Sequence, residues 1–307
     1  MAATLSLNEI NRHISNRLDA NAVAGKSVAG IIGDSPSRYS KSPALWNAAF
    51  RHLGMNATYL PFDVGDAQVG DLLGLLRDSE QFIGVNVTVP HKVRVMDFLD
   101  ELDPGAARIQ AVNTVVRSAD GKLTGYNTDA TGALRALGEG GVDLKRRRIV
   151  VLGSGGAARA IAFALAAESG AEQLTLLGIE DSERTTLAQD IRSVAEVTIE
   201  DSYLDESALR RVLPDAHVLI HCTPVGMAPK SDMTCVPVSF LHEGLAVMDI
   251  VYNPRETQLL KDAKQVGCKT IPGLEMFLHQ AVTQFELWTN QPAPVAVMRT
   301  VLESHFQ

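Results

Sequence analysis

Asn86, Thr88 and Lys92 place an amide, a hydroxyl and an ammonium within seven residues of the segment FIGVNVTVPHK. Amide and hydroxyl can both donate and accept hydrogen bonds, and an ammonium can pass a proton or hold charge on an oxygen, so the set suits a small polar ligand. If Val85, Val87 and Val89 face a core, the two-residue period of a strand puts Asn86 and Thr88 together on the opposite face. Lys92 follows the strand's end, where binding residues of open α/β sheets gather. Taken singly, each of the three reads better as a capping or solvent-exposed polar residue; their convergence is what suggests a site. Asp129, after Gly125-Tyr126-Asn127-Thr128, is the second ionisable candidate. It can simply cap the helical run Gly132 to Leu137. The sharper expectation sets it at the junction of two regions, facing Lys92 across a cleft. No metal-ligand cluster and no Ser-His-Asp spacing competes with the pair, so no metal is expected. Ser40 and Ser42 are a possible pair of hydroxyls at a loop-to-helix junction. Ser42 before Pro43 also reads as an ordinary serine N-cap with proline in the first turn, and Ser40 as a plain loop residue.

A second constellation lies in RIVVLGSGGAARAIAFAL, Arg148 to Leu165. Ile149 to Leu152 is an uninterrupted apolar run, as expected of a parallel strand buried on both faces. Gly153-Ser154-Gly155-Gly156-Ala157-Ala158 follows, with Gly153, Gly155 and Ala158 at the small positions of G-x-G-x-x-G/A. Ala160, Ile161, Phe163, Ala164 and Leu165 continue at helical spacing, and Gln173 to Leu177 reads as a further strand. The glycines alone are a weak signal. Set between strand and helix, they predict a turn that lets a pyrophosphate approach the backbone and meet the free N–H groups of the helix start.

These elements must be positioned by a chain of 307 residues, long enough for two domains. The alternation of strands and helices predicts an α/β fold with a Rossmann-like doubly wound parallel sheet from about Asp129 to Gly273 and further α/β elements before it. Further strands are expected at Ser27 to Gly33, Ala57 to Val64, Phe82 to Val89, His217 to His221 and Leu245 to Ile250. A helix is expected at Val69 to Arg77, and a hairpin is expected to turn at Asp120-Gly121. Leu7, Ile10, Ile14 and Leu18 recur at helical spacing, predicting an N-terminal helix that covers a surface or partner. Lys plus Arg number 28 against 36 Asp plus Glu, a net charge of −8 that disfavours nucleic acid. Cys222, Cys235 and Cys268 lack metal spacing and read as reduced thiols, and no apolar run spans a bilayer or forms a signal core. A cytoplasmic protein, monomeric or homodimeric, with a small-molecule substrate is expected.

Several segments, in order, resemble the shikimate dehydrogenases and the quinate/shikimate dehydrogenases. They are Ser40-Lys41-Ser42-Pro43, Gly84 to Lys92, Ala111-Val112-Asn113-Thr114, Gly125 to Asp129, the glycine loop, Cys222-Thr223-Pro224-Val225-Gly226-Met227, Val251-Tyr252-Asn253-Pro254 and Gly273 to Thr289. The resemblance implies an NAD(P)-dependent oxidoreductase interconverting shikimate and 3-dehydroshikimate, within aromatic amino acid biosynthesis. It makes Lys92 and Asp129 the catalytic pair. It assigns Ser40 and Ser42 to a carboxylate, and Asn86, Thr88, Asn113, Tyr252 and Gln280 to substrate hydroxyls or the cleft. Gly153 to Ala158, Thr223, Pro224, Gly226, Met227 and Gly273 fall to the cofactor. By the same resemblance the run from Gly273 to Thr289 crosses back, which makes the α/β substrate domain discontinuous, 1–128 plus 279–307, with 129–278 the dinucleotide domain.

Departures from the family pattern bear on specificity. NADP-using members carry Asn-Arg-Thr after the second nucleotide-domain strand, where this chain has Gly178, Ile179 and Glu180. A carboxylate there suits a ribose diol and repels a 2'-phosphate, so NAD is expected over NADP, with Arg184 the residue that could reverse this. His221 stands in place of a usual asparagine, and Trp46 in place of a common histidine. Ser42, rather than the threonine of quinate-specialised relatives, favours shikimate. The alternatives are a catabolic quinate/shikimate dehydrogenase and a non-catalytic metabolite-binding regulator on the same scaffold.

Overall fold

The computed structural model describes residues 7–19 and 22–305. Two compact units emerge: residues up to Thr128 with Ala281–His305, and Asp129–Gln280. The chain therefore returns to the first unit after Gln280, two residues beyond the expected junction.

In the first unit the strands are β1 (Ser27–Gly33), β2 (Ala57–Asp63), β3 (Phe82–Val87), β4 (Glu101–Leu102), β5 (Thr114–Arg117) and β6 (Leu123–Tyr126), with helices α1 (Leu7–His13), α2 (Pro36–Tyr39), α3 (Ser42–His52), α4 (Val69–Arg77) and α5 (Pro104–Ile109). The strands form one sheet in the order β2-β1-β3-β5-β6-β4. β1 runs parallel to β2 and β3, whereas β5 is antiparallel to both β3 and β6.

Three expectations need correction here. The N-terminal helix stops at His13, although Ile14 and Leu18 are still buried; with Leu7, Ile10 and Val23 they join the main apolar cluster of this unit, so the surface that the segment covers is the unit's own core and not a partner. Strand β3 ends at Val87, and Val89 is 70% exposed, because the chain leaves the sheet at Thr88 and Val89 has no facing layer. The β5–β6 hairpin turns through three residues and not two. Ser118 N–H donates to the Lys122 carbonyl, leaving Ala119, Asp120 and Gly121 outside the ladder, with Gly121 at φ 88°.

The second unit contains α6 (Asp129–Glu139), β7 (Arg148–Leu152), α7 (Gly156–Glu168), β8 (Gln173–Gly178), α8 (Asp181–Val194), β9 (Thr198–Tyr203), α9 (Glu206–Val212), β10 (Val218–His221), β11 (Ala246–Asp249), α10 (Gln258–Val266), β12 (Lys269–Pro272) and the start of α11 (Gly273–Thr289). All six strands are parallel, in the order β12-β11-β10-β7-β8-β9. Numbered from β7, this is the 3-2-1-4-5-6 order of a doubly wound nucleotide fold, with its switch point between β7 and β10. The runs IVVL, LTLLG, VLIH and AVMD are buried almost throughout because helices cover both faces. β9, with sequence TIEDSY, buries only Ile199 fully; as an edge strand it needs little apolar character, which is why its sequence carries no strand signal. No helix among the described residues is long and apolar enough to cross a membrane.

The last helix, α12 (Val295–His305), packs on α3, and the end of α11 brings Phe285 and Trp288 into an aromatic cluster with Trp46, Phe50 and Tyr59. Trp288 Nε1 donates to the Val115 carbonyl at 3.0 Å and lies against the face of Gly84, where a Cβ would fall 2.1 Å from that nitrogen. Any side chain at 84 must push the indole off both its hydrogen bond and its stack. Gly84→Ala is therefore expected to lower stability by about 2 kcal/mol, read from the urea midpoint at unchanged m-value.

Candidate active site

In the first unit the sequence candidates are tied together by hydrogen bonds. Helix α3 begins at Ser42, with Lys41 at the cap position, so Ser42 does not act as the expected N-cap. Instead Ser40 Oγ accepts from the Ser42 backbone N–H at 3.2 Å, and the buried Ser42 hydroxyl bonds to Tyr59. Tyr59 hydroxyl donates to Asn86 Oδ1 at 2.7 Å. Asn86, 6% exposed on β3, keeps its Nδ2 without a hydrogen-bond partner. The expected alternation is thus modified: Asn86 does lie opposite Val85 and Val87, but on a face that is itself covered. Thr88 is half-buried just past the strand, its hydroxyl bonded to Tyr39.

Lys92 follows in a turn anchored from two directions. Its carbonyl accepts from Val112 N–H at 2.8 Å, and the preceding His91, 1% exposed, reaches the Val64 carbonyl through Nε2 at 2.7 Å and lies 3.6 Å from Asp66. His91 was not singled out from sequence, since a histidine between proline and lysine gives no sign of burial. Asn113 sits on the chain neighbouring this turn, but its amide is turned to Thr128: Oδ1 accepts from Thr128 N–H at 2.9 Å and Nδ2 donates to Thr128 Oγ1 at 3.0 Å. It fixes the strand end that leads into Asp129. Gln284 Nε2 also donates to Thr128 Oγ1 at 3.0 Å.

In the second unit Asp129 opens α6, is 4% exposed, and accepts from Gln280 Nε2 at 2.7 Å. Gln280 and Asp129 are therefore brought together, 151 residues apart in sequence. Tyr252 is 38% exposed and stacks on Phe277 at 5.0 Å. Gly273 abuts the Ile250 carbonyl, where a Cβ would fall 2.5 Å away. Although the sequence spacing shows no metal-ligand cluster, the fold brings Glu139, Glu275 and His279 within 4.8 Å of one another, with His279 paired to Glu139 at 3.1 Å.

The glycine loop opens a cavity of about 460 Å³ at the switch point, lined by Gly153, Ser154, Gly155, Glu180, Thr223 and Pro224 among others. Gly153, at φ 109°, turns the chain away from β7 beside the Cys222 carbonyl, and Gly155 and Gly156 face open space. Gly155 caps α7 without a side-chain bond, which leaves the first N–H groups of a 13-residue helix for an anion. Gly156, Ala157 and Ala158 form that first turn, while Gly226, Met227 and Gly273 are outside the lining. The residues fit a dinucleotide: small side chains under the pyrophosphate position and an apolar rim. At the far end of β8 the charged lining is Glu180, Glu183, Asp205 and Glu206, with no lysine or arginine. Arg184 is turned inward, 8% exposed, with its guanidinium on Asp181 at 2.5 Å, Asp201 at 3.4 Å and the Gly178 carbonyl at 3.2 Å.

His221, at the end of β10, is 1% exposed; Nδ1 bonds Asp249 Oδ1 at 2.9 Å and Nε2 bonds Thr223 Oγ1 at 2.5 Å. Asp249, fully buried, also accepts from Val251 N–H at 3.0 Å and Thr257 Oγ1 at 2.6 Å. The histidine thus holds the base of the loop that lines the cavity. Sequence had a clue to Asp249, a single acid closing an apolar run, but nothing to say which side chain it meets. Burial by itself would push the imidazole's pKa down; the hydrogen bond to Asp249, aided by Cys235, outweighs it and raises the pKa to about 9.

A doubly wound parallel sheet with a glycine loop at its switch point, joined to a unit carrying a hydroxyl, amide and lysine cluster, defines a dinucleotide-linked α/β oxidoreductase. Residues 31–115 match the shikimate dehydrogenase substrate binding domain, and residues 273–303 match the shikimate 5'-dehydrogenase C-terminal domain. The chain is 42% identical over 288 residues to the shikimate dehydrogenase (NADP(+)) of Methanopyrus kandleri, covering 92% of this chain and 97% of the relative. The crystal structure of shikimate 5-dehydrogenase from Listeria monocytogenes, in complex with shikimate and NAD, superposes with a TM-score of 0.86 at 34% identity, over 94% of this chain and 100% of that one. The quinate dehydrogenase of Corynebacterium glutamicum, in complex with NAD, gives 0.82 at 32% identity, over 91% and 99%. The chain belongs to the shikimate dehydrogenase family, and is an NAD(P)-dependent alcohol dehydrogenase of that type.

The His221–Asp249 pair carries a pH prediction. With its folded pKa near 9 and an unfolded value near 6.5, His221 contributes its full stabilisation below about pH 6.5 and loses it as pH rises through 9. Denaturation midpoints measured from pH 6 to 9.5 should fall by an amount equivalent to roughly 1–3 kcal/mol. In His221→Asn that portion of the decline should vanish.

Proposed function

We propose that the chain is a shikimate dehydrogenase that interconverts shikimate and 3-dehydroshikimate, using NAD in preference to NADP. The observation that carries the cofactor preference is the acidic lining beyond β8, where Glu180, Glu183, Asp205 and Glu206 supply all the charge. A 2'-phosphate would have to be desolvated against carboxylates, with no cation to offset them. Arg184, the one residue in sequence that could have met it, is spent on Asp181 and Asp201. A ribose diol, by contrast, can donate to Glu180. The M. kandleri relative is named for NADP(+) and the L. monocytogenes structure holds NAD, so the preference follows these ribose-end residues and not family membership.

The residues up to 128, with 279–307, are assigned to the substrate, and 129–278 to the dinucleotide. When bound, the dinucleotide supplies hydride transfer at the nicotinamide ring. Oxidation of a secondary alcohol also removes a proton from its oxygen, and Lys92 is assigned that proton and the negative charge that develops in the transition state. Asp129, held by Gln280, is assigned a substrate hydroxyl. Ser40 and Ser42 supply hydroxyls for the carboxylate, and Asn86 and Thr88 are assigned the ring hydroxyls, with Tyr252 and Asn113 at the margin. Gly153 to Ala158, Thr223, Pro224, Gly226, Met227 and Gly273 are assigned to the cofactor. Ser42 in place of threonine supports shikimate over quinate.

Initial rates with shikimate and quinate, each against NAD and NADP, test this directly: shikimate with NAD should give the highest kcat/KM, and a higher value with NADP would overturn the cofactor preference. Lys92→Ala should lower turnover of shikimate about a hundredfold. Glu180→Ala should raise kcat/KM for NADP relative to NAD; an unmoved ratio would remove Glu180 from discrimination.

A further inference from the structure

Asn86 is the one assigned substrate residue whose amide is both buried and half unsatisfied, and the reason lies one strand away. Tyr59 on β2 is 1% exposed, its ring stacked on Trp46 at 5.4 Å and 9°, with Trp288 at 6.2 Å. That packing leaves the ring nowhere to turn, so the hydroxyl is held under β3, where it meets Asn86 Oδ1 at 2.7 Å. The carbonyl oxygen of an amide can only accept, so the phenol must donate to it; the phenol oxygen is then left as an acceptor, and Ser42 is its partner. Burial pushes the phenol's pKa well up, against the pull of the Ser42 hydroxyl, which keeps the proton on Tyr59 at working pH. Without ligand the protons run one way, from Ser42 to Tyr59 to Asn86; a carboxylate at Ser42 takes that hydroxyl's one proton and leaves the Tyr59 proton on Asn86. With Oδ1 occupied, what remains of Asn86 is its Nδ2, a buried donor with no partner in the protein. A buried donor left unpaired is costly, and a ligand acceptor resolves it.

We infer that Tyr59 is a positioning residue that sets the polarity of Asn86, so that the amide offers the substrate N–H and never C=O. The ligand atom it recognises is an oxygen lone pair on the cyclohexene acid. The inference rests on Asn86 contacting substrate, as proposed above. Without the phenol proton, nothing distinguishes the two orientations of the amide, which can rotate about its last torsion and present its oxygen to an oxygen.

The test is a double-mutant cycle on the full chain, with shikimate and NAD. Tyr59→Phe keeps the stacked ring and should raise KM for shikimate about tenfold, leaving kcat within about threefold and KM for NAD unchanged. Asn86→Ala should lower kcat/KM by a similar factor or more, and Tyr59→Phe added to it should cost less than twofold, because there is no longer an amide to orient. Asn86→Asp, which matches the shape but cannot donate, should be at least as impaired as Asn86→Ala. Equal losses from Tyr59→Phe in both backgrounds would make Tyr59 a packing residue and overturn the inference while leaving the substrate contact intact. Near-normal activity of Asn86→Asp would do the same by showing that the amide accepts. If Asn86→Ala leaves kcat/KM for shikimate unchanged, Asn86 does not contact substrate, and both the contact and the inference fall.

Discussion

A parallel strand covered on both faces has no solvent-facing side for polar groups, so they collect at its ends or must be partnered inside the sheet. Both sheets of this protein obey that constraint, and the candidate residues follow from it. Thr88 and Lys92 lie past β3; Gly153 to Gly155 past β7; Ile179 and Glu180 past β8; Cys222 and Thr223 past β10; Tyr252 past β11; and Gly273 directly after β12. The strand order of the second sheet then separates β7 and β10 in their connections while pairing them in space, which opens the cavity between the glycine loop after β7 and the loop after β10.

Asn86, His221 and Asp249, which enter the sheets, are each held by a buried partner, and those partnerships do the positioning. Asn86 takes a hydrogen bond from Tyr59, and His221 and Asp249 hold each other on adjacent strands in register. The His221–Asp249 pair reaches outward through Thr223 on one side and Thr257 on the other, so the loop between them is fixed by charge set within the sheet. Breaking one member would leave the other buried without compensation, which is why such pairs stabilise more by their mutual presence than either does alone.

Electrostatics around the dinucleotide cavity are decided by the same accounting of partners. Arg184 is a cation close in sequence to the ribose position, yet Asp181 and Asp201 bind it within the α8–β9 layer, and the surface left to the ligand is acidic. Proximity along the chain would have assigned it to a phosphate; Asp201, on the neighbouring strand β9, assigns it to the protein.

Much of this was legible in residue order. Apolar runs such as Ile149 to Leu152, glycines at fixed spacing before a helical pattern, and the N-V-T-V-P-H-K segment determine the α/β class, the glycine turn and the identity of the candidate polar residues, because these depend on interactions within a few residues of chain. The edge strand β9 escaped, since an edge is not required to be apolar, and the hairpin turn was one residue longer than its Asp-Gly pair suggested, since register is set by the paired strands. Only the tertiary structure decided which way Arg184 turns, that Ile14 and Leu18 are core, that His221 meets Asp249, and that Tyr59 occupies one end of Asn86. Each of those depends on residues far apart in sequence coming within hydrogen-bond or packing distance, and the fold alone brings them there.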